Sequence, residues 1–503
     1  MNLKRTLQIC RNLSLLLGGA FVVHHQTRRP ENALCPPAIV PEKKPDRSVA
    51  IVIRNGDIPL TLQQVHVFFR HGARLPLHLS PGLDEVSYPE DKVLKDAPHT
   101  MFRHRIVMLP DRTPRTLSEK EESYKLLQLK GGGYAGNLTV LGQDQAYILG
   151  RSLRDMYIFR HRFLSEDYSA QDISVQSTNI NRTIVSARCV LAGMFGKERL
   201  NETAGGVEIT VCELKDDFLL PNDMSCNVLA ETIKFATSDM DNIGLMEDRL
   251  IIEKALGINS EATGVKINFD HLRDDLTSRI THGYNMPTKL LPYVDMIENN
   301  AIKTIYYATC GMIEEQRPAL TCLVIGRALN RVVDAMGSLI YGEKAVKMYL
   351  WSTHDTTMVA LLEALGIFNW RWPPFVADLR LELYKSGDDR HWVRVLYCSQ
   401  EMNMRDSSTP IMPFEDFEKA LKPYLLDDSE FESLSKMTLD QMLNAYNELK
   451  PIEVQDSSEG IEPTDGELEP SEAIIEPSDD TGEPSDDTEA TVDEEDDEDD
   501  EDE

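Results

Sequence analysis

Short apolar strands and helical patterns alternate along the chain. β-Branched and aromatic residues predict strands over 61–69, 172–178 and 347–353. Strand signals on either side of SGDDRH predict an antiparallel hairpin over 379–397. Alternating strands and helices predict an α/β fold: a three-layer sandwich with a mostly parallel central sheet and helices on both faces. Apolar residues at a spacing near 3.6 predict the helices, which cover 141–153, 181–195, 317–342 and 356–366.

Stretches with few strand signals divide this pattern into domains. The segment 212–310 is helical in pattern, so we expect an inserted, mainly helical cap domain there. The cap would separate two parts of the α/β core, 61–211 and 311–450. Residues 31–60 are rich in proline and charge and are predicted to be a connector, and 75–130 is predicted to be an irregular loop.

The first thirty residues differ from the rest in charge. They are basic, with no acidic residue before Glu31, which is typical of a mitochondrial presequence. Their apolar run, Asn12–Val23, is too short to span a bilayer comfortably. A basic segment before such a run also fits a secretory signal, which would lead to the secretory pathway or the lysosome. We therefore expect a targeting presequence or anchor over 1–30, mitochondrial localisation, and membrane association through the N-terminus.

The negative charge of the chain is concentrated at its C-terminal end. The net charge of the 503 residues is −32, and residues 451–503 hold 26 acidic residues and no basic one. The preceding 450 residues contain 58 acidic and 52 basic residues, which gives no indication of a nucleic-acid-binding surface. The acidic segment cannot bury enough apolar surface to order itself, so we predict a disordered tail.

The eight cysteines are widely spaced and form no CxxC pair. The sequence therefore offers neither a zinc knuckle nor a redox motif, and mostly free, buried thiols are expected.

The three predicted strands end in residues that can carry chemistry. In open α/β sheets, ligands bind at the carboxyl ends of the strands. Several guanidinium groups at one point require an anion and match phosphate oxygens, so the predicted ligand is a phosphoryl group. A neutral imidazole there can attack phosphorus, and a carboxylate can protonate the departing oxygen. The residues concerned are Arg70, His71, Arg74, Arg182, His354 and Asp355.

This set of residues requires no metal or cofactor, because the arginines supply the charge that Mg²⁺ supplies elsewhere. Gly72 is predicted to permit a tight turn and to let a substrate approach the backbone. Roles outside the chemistry are also considered for Arg182 and for two further histidines. Arg182 could be solvated in the first turn of a helix, His66 is expected to pack within its strand, and His78 to be exposed in a loop.

The motifs resemble those of the histidine acid phosphatases, a branch of the phosphoglycerate mutase-like fold. The resemblance rests on RHGARLP (70–76) and a distant STHD (352–355), with support from LTVLGQDQ (138–145) and STNINR (177–182). It extends from about residue 63 to about residue 425. Within the family it is greatest to the lysophosphatidic acid phosphatase branch, a mitochondrial enzyme.

The resemblance implies a role for each site residue. It makes His71 the nucleophile and Asp355 the proton donor. In one departure from the family pattern, Gln176 stands where the family often has an arginine. The implied phosphate-binding shell consists of Arg70, Arg74, Arg182 and His354.

The resemblance also implies a reaction. We expect a metal-independent acid phosphomonoesterase, a monomer without a cofactor, that acts through a phosphohistidine and hydrolyses lysophosphatidic acid to monoacylglycerol and phosphate. One alternative is an inositol polyphosphate phosphatase of the same family, whose substrate would favour a more basic pocket. The other is a catalytically inactive phosphoryl-ligand-binding protein, which would not need an intact proton donor.

Overall fold

A mixed sheet of eleven strands forms the centre of the protein. The structure is a computed structural model and describes residues 52–405 and 407–450. The strands are β1 (Ile53–Asn55), β2 (Ile58–Arg70), β3 (His104–Leu109), β4 (Thr113–Pro114), β5 (Ile173–Ser177), β6 (Val207–Cys212), β7 (Met348–Thr353), β8 (Asp378–Ser386), β9 (His391–Tyr397), β10 (Gln400–Glu401) and β11 (Ile411–Pro413).

The centre of this sheet is parallel and its edges are antiparallel. The strand order is β10-β9-β8-β2-β7-β5-β6-β3-β4, with β1 beside β2 and β11 beside β9. The neighbours β2, β7, β5, β6 and β3 are parallel, whereas β8 and β9 form the predicted antiparallel hairpin. β2 and β7 pair in register up to Arg70 and Thr353, so both strands end at the same level. The predicted α/β sandwich is confirmed.

Helices cover both faces of the sheet. A π-helical turn, Arg154–Arg160, extends the helix Val140–Leu153 at its C-terminal end. The helices are α1 (Glu90–Val93), α2 (Glu119–Tyr124), α3 (Val140–Leu153), α4 (Asn181–Phe195), α5 (Lys197–Glu202), α6 (Asn227–Ser238), α7 (Met246–Leu256), α8 (Ser260–Thr263), α9 (Phe269–Thr281), α10 (Val294–Cys310), α11 (Arg317–Ile340), α12 (Asp355–Ala364), α13 (Phe414–Leu421), α14 (Asp428–Ser435) and α15 (Leu439–Leu449).

The side chains of β2 show how the two helical layers are held. Successive side chains of a strand point to opposite faces of the sheet. Val65, Val67 and Phe69 belong to the hydrophobic cluster that contains α3 and α4. Phe68 belongs to the second cluster, which contains α11 and α12. The central strand is thus buried on both faces, as a strand within a parallel sheet must be.

Two strands of the parallel part of the sheet, β3 and β6, are absent from the predicted pattern, as are the short strands β1, β4, β10 and β11. β3 lies within 75–130, so the prediction of an irregular loop there is wrong. Its sequence, HRIVML, buries only Val107 and Met108, and it pairs with the distant β6, which the pattern also missed. A half-exposed strand with a distant partner gives little periodic signal. β2 also begins before residue 61, so the end of the predicted connector 31–60 belongs to the sheet.

Helices α6–α10 fill most of the predicted cap segment, 212–310. Their buried apolar side chains, among them Leu229, Leu276 and Ile297, join the same hydrophobic cluster as α11 and α12. The predicted presequence, the first part of the connector and the acidic tail lie outside the described residues. In the described part of the chain, no helix combines the length and the apolarity that crossing a membrane takes.

Close backbone packing holds the loop after β2 against α3. A Cβ atom on Gly72 would lie 2.1 Å from the carbonyl oxygen of Gly142, and one on Gly142 would lie 2.1 Å from that of Ala73. The Thr139 N–H donates to Ala73 O at 3.0 Å, and the Ala73 N–H donates to Gln145 Oε1 at 2.9 Å. The structure thus gives a reason for Gly72 that the sequence did not predict: its missing side chain makes room for a helix.

We expect Gly72→Ala to lower the free energy of unfolding by about 3 kcal/mol, because the new methyl group overlaps the backbone of α3. Urea denaturation measures the change. Gly337→Ala in α11 is the matched control. A Cβ atom there meets nothing within 4 Å, so alanine should raise stability by up to about 1 kcal/mol. A Gly72→Ala protein as stable as the control would contradict the close approach.

Candidate active site

The ends of three parallel strands, β2, β5 and β7, bring the predicted site residues to one place. The loop after β2 begins with the RHGAR motif, the first turn of α4 follows β5, and the N-terminus of α12 follows β7. Every predicted site residue is buried. The six residues are Arg70, His71, Arg74, Arg182, His354 and Asp355.

Direct contacts join residues from different strand ends. Arg70 Nη2 lies 2.6 Å from Asp355 Oδ2, which links β2 to α12. Arg182 Nη2 lies 3.5 Å from His354 Nδ1, which links α4 to the end of β7. The rings of His71 and His354 stand edge to face with centroids 5.6 Å apart. The strand-end argument therefore places Arg182 correctly, although an arginine in a first turn is often solvated.

His71 has the geometry and protonation state of a nucleophile. Its side chain is 1% exposed, and Nδ1 lies 2.9 Å from the carbonyl oxygen of Gly72. Since a carbonyl only accepts, Nδ1 carries the proton and Nε2 presents a lone pair. Burial, followed by the charges of Arg182, Arg70 and Arg74, holds the pKa of His71 well below its usual value. The imidazole is therefore neutral.

The three arginines carry buried N–H groups that have no partner among the described residues. They are Arg70 Nε, Arg74 Nε, and both Nε and Nη1 of Arg182. An unsatisfied buried donor is costly, and such groups in a native structure call for an explanation. A phosphate group offers several acceptor oxygens at once. Donors of this kind around a neutral histidine are what an anion-binding site requires.

Other N–H groups of these three arginines make contacts that fix the orientation of the guanidinium planes. Arg70 Nη1 donates to Pro373 O at 2.7 Å, and its guanidinium lies 4.3 Å from the Phe375 ring centroid. Arg182 Nη2 donates to the Tyr124 hydroxyl at 3.4 Å. Arg74 Nη1 is held by the Asp274 carboxylate of α9.

His354 is neutral and held from one side. Its Nε2 lies 2.9 Å from Thr178 Oγ1, so Nδ1 is the nitrogen that lies beside Arg182. Burial and the Arg182 charge hold the pKa of His354 well below its usual value. Gln176, which stands in place of a family arginine, donates its amide N–H to Cys212 Sγ at 3.4 Å.

Asp355 is held through both carboxylate oxygens. Oδ2 accepts from Trp372 Nε1 at 3.1 Å and pairs with Arg70, while Oδ1 accepts from the Thr356 N–H at 3.0 Å. Burial alone would raise the pKa of Asp355, but the charges of Arg70 and Arg74 outweigh it and hold this pKa below its usual value. The group is a carboxylate in the free protein.

Sequence reasoning missed several residues that surround this site. They come from the 75–130 segment, from α9 and from the loop after α12, so they reach the site through tertiary contacts alone. A motif search has no fixed spacing with which to find them, although WRWPPF follows the STHD helix closely. They are Tyr124, Asp274, Trp372 and Phe375.

His66, His78 and the cysteines among the described residues are found as predicted. His66 is buried and stacks on Tyr349, with ring centroids 4.5 Å apart, and burial lowers its pKa to about 3. His78 is exposed and stacks on His271. The six cysteines among the described residues are free, and five of them are buried.

Known proteins are similar to this chain over most of its length. The model of the histidine phosphatase superfamily (branch 2) matches residues 61–398. The chain is 32% identical over 395 residues to lysophosphatidic acid phosphatase type 6 of Homo sapiens, a match that covers 77% of this chain and 89% of the relative. It is 30% identical over 385 residues to the Mus musculus protein of the same name, with 75% and 89% covered.

Solved structures are also similar to this chain at low sequence identity. The phytase of Hafnia alvei in complex with myo-inositol hexakis sulphate is 11% identical, with a TM-score of 0.48 and coverage of 73% of this chain and 98% of that one. The family model alone spans most of the chain, from β2 to the residue after β9. The chain belongs to branch 2 of the histidine phosphatase superfamily and is a histidine acid phosphatase, a hydrolase of phosphoric monoesters.

Proposed function

We propose that the protein hydrolyses lysophosphatidic acid to monoacylglycerol and phosphate through a phosphohistidine on His71. The observation that carries the mechanism is the group of unpartnered, buried arginine N–H donors around a neutral imidazole. A phosphate bound by these donors would have its charge neutralised without a metal ion. The substrate assignment is supported by the relatives named lysophosphatidic acid phosphatase type 6.

In the first step, His71 Nε2 attacks phosphorus in line with the ester oxygen. The new N–P bond forms as the P–O bond breaks, and Asp355 gives its proton to the departing oxygen. Arg70, Arg74 and Arg182 stabilise the negative charge on the equatorial oxygens throughout.

In the second step, water attacks the phosphohistidine. Asp355, now a carboxylate, accepts a proton from this water as the new P–O bond forms. The N–P bond breaks, so His71 is again neutral and inorganic phosphate is left in the site. Asp355 is then protonated, as it was in the substrate complex. It gives this proton to the phosphate, which leaves as its monoanion, and the free protein again holds Asp355 as a carboxylate.

The proton needed for the first step must arrive with the substrate. Asp355 is a carboxylate in the free protein, since the neighbouring arginines hold its pKa low. A phosphate monoester that binds as its monoanion brings a proton into the site, and its charge offsets that of Arg70. Both effects favour the protonated acid.

The charges on α9 favour a leaving group without further phosphates. Arg273 is paired with Glu298 at 2.8 Å, and Arg279 with Asp275 at 2.7 Å, so both arginines of this helix already have carboxylate partners. Burial and the charges of Asp274 and Asp355 raise the pKa of Asp270 to about 7. Helix α9 therefore offers no unpaired arginine for the further phosphates of an inositol polyphosphate, which favours an uncharged acylglycerol as the leaving group.

We also propose a mitochondrial destination and acyl-chain substrates delivered from a membrane, on the basis of the acid-free, basic residues 1–30. A fluorescent fusion of the full chain, compared with one in which the basic residues of 1–30 are replaced by glutamine, tests the destination. If the intact fusion is found in the secretory pathway or the lysosome, the mitochondrial destination is wrong.

His71→Ala should lower phosphate release from lysophosphatidic acid by on the order of 10⁴-fold or more, because no other group can form the covalent intermediate. Phosphate release is measured with the full chain in EDTA, beside inositol hexakisphosphate and nitrophenyl phosphate. His391→Ala is the matched control, because His391 pairs with Lys385 and Lys385 pairs with Thr61, near the end of β2 that is opposite to Arg70. Turnover of the inositol compound alone would overturn the substrate. No turnover of any of the three would favour the phosphoryl-binding alternative.

Asp355→Asn should separate substrates by their leaving groups. We expect hydrolysis of lysophosphatidic acid to fall by on the order of 10²–10⁴-fold, since an alkoxide leaves poorly without a proton. Nitrophenolate leaves without help, so the variant should still release a burst of nitrophenol and then stall as the phosphohistidine. Equal losses on both substrates, without a burst, would contradict the role of Asp355 as the acid.

The pH profile should fall on the alkaline side. Monoesters of phosphate lose their second proton near pH 6. As the pH rises through about 6, the monoanion that supplies the proton disappears, and kcat/KM for lysophosphatidic acid should decrease about tenfold per pH unit. A profile that rises between pH 6 and 8 would show that the proton comes from elsewhere.

A further inference from the structure

Helix α9 is tied to the loop that carries the RHGAR motif by hydrogen bonds over four of its residues. Asp274 Oδ2 accepts from the Leu77 N–H at 2.7 Å, and Asp275 Oδ2 accepts from the Ser80 N–H at 3.2 Å. Ser278 Oγ donates to Arg74 O at 3.1 Å, and Arg279 Nη1 donates to Asp84 O at 2.8 Å. One face of a cap helix thus lies against the whole segment 74–84.

Among these four residues, Asp274 is the one that contacts the guanidinium group of Arg74. Its Oδ1 lies 2.8 Å and its Oδ2 3.1 Å from Arg74 Nη1. Burial alone would raise the pKa of Asp274, but the Arg74 charge outweighs it and lowers this pKa. For Arg74, burial acts downwards, and the Asp274 carboxylate outweighs it and raises the pKa. The pair is fully ionised.

The contact leaves one edge of the guanidinium free. Nη1 is engaged by Asp274 and by Leu75 O, whereas Arg74 Nε is buried without a partner among the described residues. A long side chain held at one end loses rotamer freedom before a ligand arrives, so less entropy is lost on binding. The planar guanidinium then presents its other donors in a fixed direction.

A carboxylate beside an arginine could instead compete with phosphate for it. The Asp274 carboxylate is restrained against such a role, because its Oδ2 also accepts from the Leu77 backbone. It therefore stays on the far side of Arg74. We propose that Asp274 is a positioning residue of the phosphatase reaction: through Arg74, the cap helix α9 sets the phosphate-binding geometry of the core.

This proposal depends on a phosphate site at Arg74 but not on the identity of the lipid. Direct titration of inorganic phosphate by calorimetry tests it without turnover. Competitive inhibition of nitrophenyl phosphate hydrolysis by phosphate gives the same constant from kinetics. A failure to hydrolyse the lipid would overturn the proposed substrate while leaving the phosphate titration intact.

Asp274→Asn should weaken phosphate binding by about 10- to 100-fold, the usual effect of losing a charge-assisted hydrogen bond. KM for nitrophenyl phosphate should rise by the same factor as the inhibition constant of phosphate, because Arg74 contacts the phosphate group of the substrate and of the inhibitor. Asp275→Asn is the matched control. It weakens a hydrogen bond to the same loop but removes no contact to Arg74, so it should change phosphate binding less than twofold. Should Asp274→Asn not fold, Asp274→Ser keeps an acceptor for Leu77 and carries the same test.

A double-mutant cycle identifies the path of the effect. In an Arg74→Ala background, Asp274→Asn should change phosphate binding less than twofold, since the residue through which it acts is gone. Tighter phosphate binding by Asp274→Asn would show competition and overturn the proposal. Equal effects of Asp274→Asn and Asp275→Asn, or an undiminished effect in the Arg74→Ala background, would overturn it as well.

Discussion

Repulsion among buried cations is the constraint on which the site depends. Arg70, Arg74 and Arg182 lie at one edge of the sheet, and the charge of each lowers the pKa of His71. Charges removed from water are tolerated only when partners and hydrogen bonds compensate them. The charge of Arg182 is only partly compensated, because this arginine contacts a phenol, Tyr124, instead of a carboxylate. An anion that enters the site completes it.

The cationic surroundings have opposite consequences for the proposed nucleophile, His71, and the proposed acid, Asp355. They keep the imidazole of His71 neutral, which an attacking nitrogen must be. They also keep Asp355 ionised, which a proton donor must not be. Pairs of titratable groups whose environments push their pKa values apart mark acid and base roles, but here the substrate must reverse one of the two shifts. A phosphate monoanion has the charge and the proton to do so.

The sequence predicted those parts of the site that lie next to one another in the chain. RHGAR and STHD follow strands with clear apolar patterns, and parallel strands end at a common edge, so proximity followed from local signals. Asp274 and Tyr124 approach from segments whose position depends on tertiary packing, and no spacing indicates them. β3 was not predicted for the same reason, since a half-exposed strand is recognisable only from the strand that it pairs with. The role of Gly72 likewise became clear only from the helix packed against it.

In the proposed mechanism, the contact between Arg70 and Asp355 links phosphate binding to proton transfer. In the free protein, the guanidinium is shared between Asp355 and Pro373 O, and its Nε has no partner among the described residues. A bound phosphate that takes hydrogen bonds from Arg70 adds negative charge next to the carboxylate and raises its pKa. Under this mechanism, Asp355 is protonated only while a phosphoryl group is present. When phosphate leaves, Arg70 again holds the carboxylate ionised, so the state that binds substrate and the state that protonates its leaving group are separated by the binding event itself.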